Sequence, residues 1–310
     1  MPVKETLALA KLAERTGYTS LWVNETRFTR DAVTRISAIA AVTDKATLGT
    51  AVLNPYTRSL MLLAITASTV DEISGGRFIL GMGVGTRKYL RSQGIMPSNQ
   101  LVYLRNSVLV MRRLWNGETI SFEGEGLNLT EAKLDFKPIR NSIPIYIGAT
   151  EDRGIRFAAN VADGIILNGF TAKSHVRRVK DLLDGEPANH VPVLGNVMVS
   201  MDEDEESAIC GARKLAYTYF TSIPTIAKAN GISDELIEEL KQLEKKRGLN
   251  EAMAHLPDEA ITNAVATGTP EQIRRWIRDY SQCGLHEVLI TRIHGDTEEI
   301  IREVSELNMD

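Results

Sequence analysis

Short apolar runs alternate with amphipathic stretches along nearly the whole chain, and this alternation limits the possible folds more than any other feature. The runs are TSLWV (19–23), ATLGTAVL (46–53), FILGMGV (78–84), IPIYIGA (143–149), GIILNG (164–169), PVLGNVMVSM (192–201) and EVLITR (287–292). A strand wetted on one face alternates apolar and polar residues. Runs that are apolar throughout belong to parallel strands covered by helices on both faces. Helical spacing fills the gaps, over 3–16, 31–43, 58–74, 99–116, 151–161 and 172–184, with glycine stops at Gly17, Gly75-Gly76 and Gly117. The pattern is that of an α/β chain of the TIM (β/α)8 barrel type. Seven strands are counted where a closed barrel has eight, and the chain opens in a helix. Either the first barrel strand is missing from the chain, which is the expectation taken here, or another segment fills that gap.

At 310 residues the chain is read as a single barrel domain, 1–310, with 201–265 as a helical insertion within it. A small hairpin is expected around Phe122–Gly126. Thr269-Pro270-Glu271-Gln272 is a capping box with proline at the first helical position. With 43% hydrophobic and 25% charged residues the composition is that of an ordinary globular protein. A formal charge of −4 and the lack of a dense Lys/Arg stripe give no reason to expect nucleic acid. No apolar run nears the ~18–20 residues that cross a bilayer, so no membrane partner is expected. Cys210 and Cys283 match no ligand spacing. Together with the lack of a signal peptide they read as reduced thiols in a cytoplasm. The five histidines form no metal-binding cluster and are expected at the surface.

Candidate chemistry gathers at strand C-termini, where α/β barrels carry their sites. Gly81-Met82-Gly83-Val84-Gly85 is G-x-G-x-G in mid-chain, not the dinucleotide fingerprint. Its glycines either pack against neighbouring chain or clear room for a flat ligand, and their place at a strand end favours the ligand. Gly148-Ala149-Thr150 leads into a helix whose first amides, with Thr150 and Arg153, suit a phosphate or carboxylate, although Glu151 and Asp152 already satisfy that dipole. Asn168-Gly169-Phe170 offers further phosphate or ring contacts. Glu25, after the strand TSLWV, is a candidate acid, base or hydrogen-bond acceptor; the alternative is an ion pair with Arg27, Arg30 or Arg58. Asp71, at a helix end remote from these turns, reads as structural. Trp22, Trp115 and Trp276 read as core.

Together LGTAVLNPYTR, the DEISGGR turn, the GMGVG strand and IPIYIGAT with ADGIILNG resemble the bacterial luciferase-like superfamily. Within it they look most like the branch using the deazaflavin coenzyme F-420, typified by methylenetetrahydromethanopterin reductase. The resemblance implies a TIM barrel with an insertion, a planar deazaflavin across the strand ends, and a homodimer. It implies a non-prolyl cis peptide at Ala51-Val52, within a bulge at Thr50-Ala51-Val52. Positions carried over to the cofactor are Glu25, Thr50, Ala51, Val52, Gly83, Val84, Gly85, Gly148, Ala149, Thr150, Asn168 and Gly169, with Glu25 also the catalytic candidate. Two positions depart from the family pattern. Glu25-Thr26 stands where several members have Asp-His, and Thr86 stands where an acidic residue often follows G-x-G-x-G. The implied activity is hydride transfer to or from a small organic substrate, a tetrahydromethanopterin-type C=N compound among them. The alternatives are an FMN-dependent monooxygenase and a non-catalytic flavin-binding barrel.

Overall fold

The structure, a computed structural model, describes residues 1–25, 29–184 and 190–308. Thr26 and Arg27, named above, lie outside the described residues. The chain forms two compact units, Met1–Ala149 with Phe157–Ile166, and Thr150–Arg156 with Leu167–Asp310.

The strands of the first unit are β1 (Ser20–Val23), β2 (Thr47–Thr50), β3 (Phe78–Met82), β4 (Ile120–Gly124), β5 (Leu127–Ala132), β6 (Ile145–Ala149) and β7 (Gly164–Leu167). They are hydrogen-bonded in the order β1-β2-β3-β6-β7, with β1–β2, β2–β3 and β3–β6 parallel. β4 and β5 form the expected hairpin apart from this sheet. Both faces of the parallel strands are covered, which is why their sequences are apolar throughout: Leu48, Leu80 and Ile145 are wholly buried. Helices begin where a side chain caps them. Asp31 accepts from Thr34 N to start Ala32–Ala40, and Ser59 from Leu62 N to start Leu60–Ile73. β1 pairs with β2 alone, and no strand precedes it among the described residues.

The N-terminal end of β3 is fixed by a buried ion pair. The fully buried Asp71 carboxylate accepts from Arg140 Nε at 2.9 Å and Nη2 at 2.5 Å, and from Phe78 N at 3.3 Å. Arg140 also donates to Phe78 O at 2.6 Å. Asp71 thus has the structural role its position indicated.

In the second unit β8 (Val193–Met201), β9 (Val265–Gly268) and β10 (Glu287–His294) run parallel in the order β9-β8-β10. β9 is the one strand here without an apolar run of its own; its four residues, VATG, are too short to show a period. Between β8 and β9 lie the helices Glu205–Ser222, Pro224–Ala229, Asp234–Arg247, Leu249–Ala254 and Asp258–Ala264. Residues 205–247 of this region form three helices, broken at Pro224, which starts the second, and at Gly231 with φ +75°. These helices close around Tyr217, Phe220, Ile237, Leu240 and Ile261, and Phe170 is part of the same core. The capping box at Thr269 and Gln272 is formed as read. No described helix is long and apolar enough to cross a membrane.

Candidate active site

The ends of β2 and β3 meet through a bulge. Gly49 pairs with Ile79 and Leu53 with Met82, so β2 advances four residues while β3 advances three. The ladder resumes through Leu53 N–H to Gly81 O (2.8 Å) and Gly83 N–H to Leu53 O (2.9 Å). The peptide between Ala51 and Val52 is cis, at the position the resemblance implied. Across the gap the fully buried Thr50 bonds Gly81 twice. Its hydroxyl donates to Gly81 O and accepts from Gly81 N, both at 3.0 Å. Thr50, named as a cofactor contact, therefore has its side chain committed within the sheet.

The glycines fit this bulge rather than open space. A Cβ on Gly81 would stand 1.7 Å from Thr50 O, and one on Gly83 would be 2.5 Å from Val52 Cγ2. On Gly148, at the end of β6, it would meet both Val52 methyls, at 3.2 and 3.3 Å. Gly85, with φ +64°, would press on Asn54 Nδ2 at 2.5 Å. Within the bulge Gly83 and Gly148 seat Val52, and Gly85 seats Asn54. Ala51, Val52 and Val84 remain half-exposed and Gly85 exposed, leaving an apolar surface over the bulge.

Asn54, only 6% exposed, joins this surface to Glu25. Its N–H donates to Glu25 Oε2 at 3.3 Å, its Nδ2 to Val84 O at 3.1 Å, and its Oδ1 accepts from Tyr56 N at 2.8 Å. Gln100 Nε2 donates to the same Val84 carbonyl at 3.2 Å. Glu25 Oε1 lies 2.6 Å from Arg58 Nη1, and Arg58 Nη2 lies 2.6 Å from Asp31. Among the described residues, the ion pair formed by Glu25 is the one with Arg58. Asn54 went unnamed as a site residue, yet the Asn-Pro step is a turn signal and pointed to it. Thr86, where an acidic residue was looked for, caps the short helix Arg87–Arg91 by accepting from Tyr89 N. Of the tryptophans, Trp115 is buried as read. Trp22 is half-buried, its ring filling the space beside Gly49.

Ala149 ends β6 and is buried. Thr150, Asn168 and Gly169 belong to the second unit. Gly169 N–H donates to Asn168 Oδ1 at 2.8 Å, and a Cβ on Gly169 would lie 1.9 Å from Met198 Cε. Phe170, read as a ring contact, is instead wholly buried beside Tyr219 and Phe220, with φ +59°. Asn230 donates to its carbonyl at 2.7 Å. Asp152 pairs with Arg178 at 2.5 Å. His175, expected at the surface, is 5% exposed and hydrogen-bonds the backbone of Thr150. Burial holds its pKa below the ordinary histidine value and Arg178 adds to that, against the Thr150 bond and Asp152. No group of described His, Cys, Asp and Glu residues is arranged to hold a metal ion.

The chain is similar to known proteins over nearly its whole length. The chain is 30% identical over 290 residues to 5,10-methylenetetrahydromethanopterin reductase of Archaeoglobus fulgidus, covering 90% of this chain and 86% of that one. An F-420-dependent glucose-6-phosphate dehydrogenase of Microbacterium testaceum is 25% identical, over 97% of this chain and 91% of its own. Among solved structures, coenzyme F-420-dependent tetrahydromethanopterin reductase from Methanopyrus kandleri superposes with a TM-score of 0.85 at 22% identity, over 99% of this chain and 94% of that one. That likeness establishes the fold as the α/β barrel type expected. The family model for luciferase-like monooxygenase matches residues 1–287, and the chain belongs to that family.

Proposed function

We propose that this protein is a coenzyme F-420-dependent oxidoreductase that passes a hydride to or from a small organic substrate. The observation that carries the reading is the apolar, half-exposed surface of Ala51, Val52 and Val84 over the β2–β3 bulge. The side chains of that surface carry no charge, and Glu25 beside it is ion-paired with Arg58. A planar, largely apolar ring fits such a floor. The named activities of the reductase and dehydrogenase relatives support the same cofactor class.

When bound, the deazaflavin would supply two-electron hydride chemistry, and the chain would supply position and exclusion of water. Ala51 and Val52 support the ring's back face. Asn54 and Gln100, both bonded to the Val84 carbonyl, keep the Val84–Gly85 backbone from moving. Glu25 holds Asn54. Gly148 seats Val52 from the β6 side, and Ala149 continues that edge. In the second unit, taken by itself, Thr150, Asn168 and Gly169 are proposed as contacts for anionic groups, with His175 holding the Thr150 backbone. The helices of 201–265 are read as an insertion in one barrel domain, and the substrate as a tetrahydromethanopterin-type C=N compound or a smaller carbonyl or imine. A second copy of the chain is the partner we assign to the apolar stripe Leu62, Ile65 and Ile73, which are 51%, 38% and 46% exposed on one helix.

The test is an absorbance titration of purified protein with F-420 and, separately, with FMN. Saturable binding of F-420 with none of FMN is the expected result. The family's monooxygenase description favours FMN as the second reading, and FMN binding alone would replace the first. Binding of neither would overturn both. Ile65→Asp should turn a dimer into a monomer in sedimentation; a wild type that already sediments as a monomer removes the partner.

A further inference from the structure

Positive charge gathers in the stretch of chain around and after the floor proposed for the ring. Between Glu72 and Glu118 the sequence has no aspartate or glutamate, yet it holds seven lysines and arginines, in a chain whose formal charge is −4. Three of the seven are spent inside the fold. Arg77 donates to the carbonyls of Ala40, Thr43, Ala46 and Ser74, while Arg112 pairs with Asp163 and Arg113 with Glu118. The other four, Arg87, Lys88, Arg91 and Arg105, are exposed. None of them pairs with a carboxylate among the described residues.

Three of these free cations stand directly beyond the floor, in the same unit. Val84 and Gly85 lead through Thr86 into the short helix Arg87–Arg91, and three residues of chain carry Arg87 Cα at most about 11 Å from that of Val84. The helix is anchored. Leu90 is wholly buried, its N–H donates to Thr86 O at 3.1 Å, and Thr86 caps the first turn without adding negative charge. Arg87 and Arg91, four residues apart, share one face of it. The neighbouring rim is equally fixed: Tyr56 N–H is held by Asn54 Oδ1, and its half-exposed ring stacks on Tyr103 with centroids 4.3 Å apart. Tyr103 lies one turn beyond Gln100, whose amide holds Val84 O. Burial, then Tyr103 and Glu125, push the Tyr56 phenol up to about 12, and Arg87 pulls it down, so Arg87 stands on the Tyr56 side of the floor. Glu125 is already engaged, accepting from the Ser98 hydroxyl and from Asn99 N–H.

We propose that the substrate is an anionic carbonyl or imine compound, or its reduced form, whose carboxylate or phosphate is held by Arg87, with Lys88 and Arg91 supplying the attracting field. The inference rests on the hydride-transfer reading above. An apolar floor seats a ring but gives a small substrate little to hold. A guanidinium at its rim offers a fork of charge-assisted donors that grips a planar carboxylate or a phosphate and so fixes where the reacting carbon lies. The two further cations beside it raise the local concentration of an anion in a protein that otherwise repels one.

The test uses a series of straight-chain oxo acids of increasing length, each beside its neutral methyl ester, with wild type, Arg87→Gln and Arg105→Gln. Binding to the F-420-loaded protein is read from cofactor fluorescence, and turnover with reduced F-420 from absorbance. Wild type should prefer at least one acid over its ester by about ten-fold or more, chiefly in KM or Kd. Arg87→Gln should lower that preference by about ten-fold, and Arg105→Gln, an exposed cation on another helix, should keep it within about two-fold. The preference should shrink as NaCl rises from about 50 to about 500 mM. Equal handling of acids and esters, binding of no acid, or a preference that survives Arg87→Gln each overturns the proposal. An equal loss in Arg105→Gln also overturns it, since the effect is then one of overall charge. So does an Arg87→Gln variant that binds F-420 more weakly yet binds a deazariboflavin lacking phosphate and glutamate as wild type does, because Arg87 then holds the cofactor's tail. Failure of wild type to bind F-420 is the separate result that removes the underlying reading.

Discussion

At the ends of β2 and β3 the polar groups are satisfied by the chain itself. Thr50 is bonded to Gly81 at both N–H and C=O, Glu25 lies between Arg58 and Asn54, and the Val84 carbonyl takes two amides. What remains at the surface there is apolar. At the ends of β8 and β10 the hydrogen-bonding groups stay wet, and the His294–Asp202 pair is more than a third exposed on each side. Where the chain satisfies its own polar groups, the backbone is fixed and the surface left over is apolar, whereas an open pair leaves its polar atoms to water.

The comparison breaks first if the glycines of the bulge prove dispensable. Gly81→Ala sets a Cβ 1.7 Å from a backbone oxygen, and backbone cannot rotate away as a side-chain tip can. We expect it to cost about 3 kcal/mol or more in urea unfolding. Gly148→Ala meets only the Val52 methyls, at 3.2 and 3.3 Å, and should cost less than about 1 kcal/mol. Equal costs would mean the bulge is not held by Gly81.

The carboxylates give a smaller contrast. Glu25→Gln removes half of an ion pair whose side chains are 14% and 15% exposed, and should lower stability by about 1–2 kcal/mol. Asp202→Asn acts on an open pair and should change stability by less than about 0.5 kcal/mol. Unfolding midpoints of the two variants decide this. A larger loss for Asp202→Asn would reverse the assignment of closed and open strand ends.

Most elements were legible in the sequence because burial on both faces writes itself as unbroken apolar runs. β1, β2, β3, β6, β7, β8 and β10 fall on the seven runs, and each main helix falls within a few residues of its period. β9 was not legible, since four residues flanked by helix and capping box carry no period of their own. The site was legible as a place and not as contacts. Gly81, Gly83 and Gly148 marked strand ends, but a glycine looks the same in sequence whether or not Val52 fills the space beside it. Phe170 failed for a related reason: a strand-end aromatic is indistinguishable in sequence from one that turns into the core through a left-handed residue. For Glu25 the sequence offered several arginine partners, and among the described residues packing brings Arg58 to it.

His175 supplies the smallest and most specific test, because it is a closed group in the unit that also holds the open pair. Its burial disfavours the charged ring, and the nearby Arg178 adds to this, so its folded pKa lies below the ordinary 6.5. As pH falls through about 6.5, the unfolded chain binds a proton there that the folded chain refuses, and stability drops. Above that pH the residue contributes no slope, and below its folded pKa the loss levels off. His175→Gln cannot titrate, so its stability should decline less than that of wild type between about pH 7.5 and about pH 5. Urea midpoints across that range measure the difference directly. Parallel curves for the two proteins would place His175 with the wet groups, and the contrast between closed and open positions would then not extend to the histidine that holds Thr150.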